Sequence, residues 1–176
     1  MEAIVYTSNT GSTERYAKLL AKATGLPVYP AGEALGQVRR GAEVIYLGWI
    51  MAGKIQGYAK AAKRYQIRAV CGVGMAQSEA QAAQVRRQTA VSEKIPLFAL
   101  QGDFDVKKLR GIYRLMMELM VKAMGRQLEK PQDRTPEEQE MLERMVHGGV
   151  GVRAENLQAV LAWYAGAGEP KEGAAK

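Results

Sequence analysis

Six consecutive small or polar residues, Ser8, Asn9, Thr10, Gly11, Ser12 and Thr13, follow the apolar run Ala3, Ile4, Val5 and Tyr6. Every one of them except Gly11 carries a side-chain hydrogen-bonding group, and Gly11 lets the backbone approach a ligand closely. A helix starting at about Ser12 would aim its free amides and positive dipole end at the same spot. That combination suits an anion, best a single phosphate, held by hydroxyls and amides instead of a lysine. Two common nucleotide loops do not match. This loop has no Gly-Lys pair as in G-x-x-x-x-G-K-[ST], and G-x-G-x-x-G needs three glycines where the loop has only Gly11. Ser and Thr also cap helices without binding a ligand, and that reading stays open at the level of sequence.

No catalytic residue emerges elsewhere. His147, the single histidine, precedes Gly148 and Gly149 in a predicted turn and reads as a helix C-terminal residue, not a base. Without a His or Cys cluster there is no metal site to assign, and no Ser-His-Asp set can be assembled. Cys71 is the lone cysteine and reads as a buried strand residue. Any chemistry would therefore belong to a bound group, with the chain setting its position.

The elements that must position the opening loop alternate in type. Apolar runs at 3–7, 26–29, 43–49, 68–73 and 96–100 read as strands, and helical patterns at 12–24, 55–65 and 78–91 separate them. Gly25 is the stop signal of the first helix, and Ser78 with Gln81 forms a capping box for the third. Strands that are apolar throughout, alternating with helices, predict a parallel sheet covered on both faces. Right-handed crossovers make that a doubly wound α/β sheet, with ligands at the carboxyl ends of its strands. Beyond Leu100 the pattern turns helical, with helices predicted at 106–124, at 135–146 behind a Thr135–Glu138 capping box, and at 154–164. One domain over 1–165 is expected, with 106–147 as a helical extension and 166–176 as a flexible tail.

Composition narrows the classes further. The chain has 176 residues, 47% hydrophobic and 24% charged, as expected of a single globular domain. No secretory leader or spanning helix is predicted, and one cysteine suits a reducing compartment, so a cytoplasmic location is expected. The net charge of +7 favours anionic ligands or partners. Nucleic acid is not expected, because the basic residues are dispersed and aromatics make up only 7%.

The stretch Ser8-Asn9-Thr10-Gly11-Ser12-Thr13-Glu14 resembles the phosphate-binding loop of flavodoxins, usually Ser/Thr-x-Thr-Gly-x-Thr behind an apolar first strand. Similarity of element order extends over residues 1 to about 100. It implies a flavodoxin-like five-stranded parallel sheet of order 2-1-3-4-5 and FMN as cofactor, with electron transfer as the function. It further implies that Trp49, Ile50, Met51, Ala52 and Gly53 offer an aromatic face and a flexible backbone to the flavin. Gly72, Val73, Gly74 and Met75 would supply backbone amides to the pyrimidine edge. The chain departs from the family in two ways: neither an acidic residue nor a Tyr follows the fourth strand, and the protein is basic. The basic charge makes an acidic redox partner a better match than a basic reductase.

A second resemblance involves residues 107–126, which carry Lys107, Lys108, Arg110, Arg114, Lys122 and Arg126 against Glu118, together with Met116, Met117, Met120 and Met124. Tyr113-Arg114-Leu115-Met116 is similar to an extension in flavodoxin-like proteins related to the menaquinone-dependent protoporphyrinogen dehydrogenase. It implies a quinone or a peripheral membrane contact through 107–126. The alternatives to simple electron transfer are thus a menaquinone-linked, protoporphyrinogen dehydrogenase-type enzyme, as the resemblance implies, and a flavin-free protein that binds partners through this basic, Met-rich helix.

Overall fold

A computed structural model describes residues 1–74, 79–103 and 151–167. Its elements, in chain order, are β1 (Ala3–Thr7), α1 (Ser12–Thr24), β2 (Val28–Pro30), α2 (Ala34–Gln37), β3 (Glu43–Met51) and β4 (Lys54–Ile55). These are followed by α3 (Tyr58–Ala62), β5 (Gln66–Gly74), α4 (Glu79–Thr89) and β6 (Leu97–Gln101), then a 3-10 turn (Ala154–Leu157) and α5 (Gln158–Ala167). The sheet has the order β2-β1-β3-β5-β6, with β4 paired to β3. Every neighbouring pair on the main path is parallel. Numbered among themselves, the parallel strands have the order 2-1-3-4-5. The fold is the expected flavodoxin-like doubly wound α/β sheet.

The uniformly apolar strands are explained by burial on both faces. Side chains alternate across the sheet. Ala3, Val5, Val44, Tyr46 and Val70 meet Ala34, Tyr58, Ala61 and Val85 from α2, α3 and α4. Ile4, Tyr6, Ile45, Leu47, Cys71, Val73 and Leu100 meet Tyr16, Ala17 and Leu20 of α1 and Val160 of α5. A register shift in the β3–β5 pairing, from Val44 opposite Ile67 to Ile45 opposite Ala69, marks a bulge at Arg68. The extra residue turns Arg68 outward, where its guanidinium lies 3.6 Å from Glu43.

Several predicted boundaries move. Gly25 ends α1 as expected, in left-handed backbone (φ 72°), donating its N–H to Ala21 O at 2.8 Å. The second strand lies at Val28–Pro30, shifted towards the proline from 26–29. The short α2 had no periodic signal in four residues. The helix predicted at 55–65 shrinks to Tyr58–Ala62, because 54–55 is a strand that folds back on β3. That hairpin turns through Ala52 and Gly53, both with positive φ (48° and 74°), between the paired residues Met51 and Lys54. Two successive positive φ values define the hairpin turn whose twist matches its strands. α4 starts at Glu79, while Ser78 of the expected capping box is not among the described residues. α5 extends to Ala167, so Gly166 and Ala167 belong to helix and not to the expected tail. The helices expected at 106–124 and 135–146, and His147, lie outside the described residues. Among the described residues no helix is long and apolar enough to cross a membrane.

Cys71 sits fully buried in the middle of β5, and burial pushes its thiol up to about 12. A thiol held so far above neutral pH has almost no nucleophilic thiolate. The folded protein is expected to resist thiol reagents at pH 8 and to react at one site once denatured; fast labelling of the native protein would contradict this packing.

Candidate functional site

The chain leaves β1 towards β2 on one side and returns to β3 on the other, so strand order reverses between β1 and β3. Such reversals open a crevice at the carboxyl ends of the strands. The loop Ser8–Thr13 lies there, between the end of β1 and the start of α1. Gly11 takes the N-cap position in left-handed backbone (φ 98°), and no side chain caps the helix. The capping role that sequence left open is therefore not what these hydroxyls do. The Ser8 hydroxyl instead accepts the Gly11 N–H at 3.2 Å, closing the loop on itself.

The first intrahelical bond runs from Arg15 N–H to Gly11 O at 3.0 Å. The amides of Ser12, Thr13 and Glu14 precede it and have no acceptor inside the helix. Asn9 Nδ2 is buried and makes no hydrogen bond, the sole such side-chain atom among the described residues. A buried donor left unpaired costs about 1–3 kcal/mol, so an acceptor from outside the chain would be favoured at this point. A side chain built on Gly11 would meet nothing within 4 Å, which leaves the approach to the loop open. Unpaired donors, a helix amino end and open space together favour an anion.

Beneath the loop a buried hydrogen-bonded knot holds β1, β3 and the 56–57 turn together. The Tyr46 hydroxyl lies 2.7 Å from Gln56 O and 2.8 Å from Thr7 Oγ1. A carbonyl can only accept, so Tyr46 donates to Gln56 and Thr7 donates to Tyr46. Gly57 passes over the pair with φ 81°, and a Cβ there would come within 2.3 Å of the Tyr46 oxygen. Burial pushes the Tyr46 phenol up to about 12, against a smaller downward effect of the Thr7 bond.

The two other segments named from sequence are strand and hairpin. Trp49, Ile50 and Met51 continue β3, with Trp49 opposite Val73 at the last parallel pair. Ala52 and Gly53 make the hairpin turn, and Gly53 lies against the Gln88 side chain of α4. Ile55 N–H donates to Thr89 Oγ1 at 3.0 Å. Gly72 and Gly74 make room for Ile50, whose Cδ1 would lie 3.1 Å from a Cβ at either position. Their missing side chains thus serve packing of the hairpin, while Val73 is buried on the opposite face with α1. Met75 is outside the described residues.

Residues that sequence did not single out converge on the start of α1. Asp103 N–H donates to Ser12 Oγ at 3.1 Å, and its carboxylate is ion-paired with Arg15. The other carboxylate oxygen accepts the amides of Gly151 (2.8 Å) and Val152 (3.0 Å). One turn along the helix, the Tyr16 hydroxyl is 2.5 Å from Gln101 O and receives Asn156 Nδ2 at 2.6 Å. Burial raises the Tyr16 phenol. No spacing signal links residues 12, 103 and 156. Among the described residues no cluster of His, Cys, Asp or Glu could hold a metal.

No protein-family model and no curated protein sequence matches this chain. Among solved structures it is similar to a flavodoxin from the domain Archaea, at 17% identity and a TM-score of 0.35, over 69% of this chain and 98% of that one. The fold itself is defined by the strand order and the parallel register.

The Tyr46 knot has a defined alkaline signature. Its phenol stays protonated in the folded protein to about pH 12, against roughly 10 when unfolded. Its stabilisation is full below pH 10 and drains as pH rises from 10 to 12, by up to about 3 kcal/mol. Tyr46→Phe is expected to cost about 1–3 kcal/mol at pH 7 by stranding Gln56 O and Thr7. It should also flatten the decline above pH 10 relative to wild type in urea unfolding. Parallel declines in the two proteins would show that Tyr46 does not titrate there.

Proposed function

We propose that this protein holds FMN by its phosphate at Ser8, Asn9, Thr10, Gly11, Ser12 and Thr13 and acts as a flavodoxin-like redox protein. The observation that carries the reading is the buried, unpartnered Asn9 Nδ2 beside the open amino end of α1. It lies at the point of the sheet where an α/β fold binds ligands. Ser12 and Thr13, buried at the first turn, would meet phosphate oxygens with hydroxyls and backbone amides. Trp49, near the carboxyl end of β3, would contribute its indole to the ring's surroundings. Bound FMN would supply the redox chemistry, and the chain would orient it and shield it from water.

The partner follows from charge. No Asp or Glu occurs between Glu43 and Glu79, while Lys54, Lys60, Lys63, Arg64 and Arg68 all do. Lys54 on the hairpin, Lys60 on α3 and Lys63 at its end are exposed. A segment of that sign favours an acidic redox protein and speeds its encounter at low ionic strength. A quinone or membrane contact rests on 107–126, which lies outside the described residues. The packing of Ile50 over Gly72 and Gly74 favours a second reading, in which the loop takes a phosphate-bearing ligand other than a flavin.

The test is an absorption spectrum after incubation with excess FMN or riboflavin and desalting. Retained FMN but not riboflavin is the expected result, because the phosphate supplies the anchor. Gly11→Asp should abolish retention: Asp tolerates left-handed backbone, and a carboxylate about 4 Å from the phosphate costs roughly 1–4 kcal/mol. Retention of neither flavin, with inorganic phosphate still bound, would replace this reading by the second one.

A further inference from the structure

Ser12 is the one loop hydroxyl whose direction is set from another part of the chain. Its oxygen accepts the Asp103 N–H at 3.1 Å. A hydroxyl with a lone pair so occupied keeps its own proton for a second partner. The Asp103 backbone is itself anchored by its carboxylate, which accepts the amides of Gly151 and Val152. The neighbouring residue permits the approach: a Cβ on Gly102 would lie 3.3 Å from Ser12 Cβ and 3.0 Å from Val73 Cγ1. Gly102 N–H is also tied to Gly74 O at 2.7 Å. The Arg15 partner of Asp103 is half exposed, at 54%, and contributes little to the anchoring. The two charge-assisted amide bonds on one carboxylate oxygen are the stronger hold, because their donors are part-buried, fixed backbone groups.

We propose that Asp103 is a positioning residue of the anion site: anchored by the Gly151 and Val152 amides, it holds the Ser12 hydroxyl as a donor to a bound phosphate group. The proposal rests on the phosphate reading of the 8–13 loop and assigns that site a component from the far edge of the sheet. It also separates the two ends of the site chemically. Asn9 donates from the loop itself, whereas Ser12 donates only as well as the end of β6 directs it.

The experiment is a double-mutant cycle on the dissociation constants of the full-length chain for FMN and for inorganic phosphate, with thermal midpoints recorded alongside. Ser12→Ala and Asp103→Ala should each weaken binding about tenfold, the worth of one hydrogen bond to a charged group. The double variant should bind no more weakly than either single one. Asp103→Asn, which keeps an acceptor for the two amides, should restore affinity to within about threefold of wild type. If Asp103→Ala does not fold, Asp103→Glu takes its place; its extra methylene shifts the backbone anchor and should weaken binding only where Ser12 is present. Multiplying losses, or an unchanged affinity in Ser12→Ala, would overturn the proposal while leaving the phosphate reading intact. Coupled losses for phosphate without FMN binding would uphold it and overturn the flavin reading. Wild-type protein that binds neither would overturn both.

Discussion

Burial of the parallel sheet on both faces governs where polar chemistry can sit in this protein. With α2, α3 and α4 on one side and α1 and α5 on the other, strand interiors have no water to satisfy a polar side chain. β1, β3 and β5 are accordingly apolar through their buried stretches, and polar groups appear near strand ends or, like Arg68, at an outward bulge. The loop after β1 is such an end, and it coincides with the reversal of strand order. The site is thus a consequence of the layer architecture before any particular residue in it is considered.

The same constraint gives Tyr46 and Tyr16 comparable roles on opposite faces. Each is a large buried ring whose hydroxyl needs partners, and each finds them at the carboxyl edge of the sheet. Tyr46 ties β3 to Thr7 and the 56–57 turn; Tyr16 ties α1 to β6 and to Asn156. Between them they immobilise both flanks of the 8–13 loop. Rigid flanks matter for a loop that binds through backbone amides, since such donors cannot adjust by rotating a side chain. Gly57 belongs to this arrangement, because any Cβ there would displace the Tyr46 hydroxyl.

Asp103 adds a third attachment, and it joins segments distant in the chain. Its backbone reaches Ser12 and its carboxylate reaches Gly151 and Val152, so the chain before residue 104 and after residue 150 meets at one point beside α1. Gly151 fits there only without a side chain, since a Cβ would lie 2.3 Å from Gly102 O. The glycines of β5 have a related purpose. Gly48 and Gly72 are register partners, and both leave room for the isoleucines of the β3–β4 hairpin.

What the sequence determined by itself was whatever depends on neighbours along the chain. Apolar runs and helical periods were enough for the strands, the parallel class and the Gly25 stop, because burial and backbone geometry act locally on those residues. The loop was legible for the same reason: its donors, its glycine and its following helix are contiguous. Tertiary structure alone decided the rest. A two-residue strand at Lys54–Ile55 and a four-residue α2 are too short to have a period, so the third strand was expected to stop at Trp49, whereas Ile50 and Met51 extend β3. Only the tertiary structure places Ile50 against Gly72 and Gly74, where a Cβ would meet its Cδ1. Ser12 meets Asp103, and Tyr16 meets Asn156 140 positions away; these hydrogen bonds exist only because the sheet order places β6 and α5 beside α1.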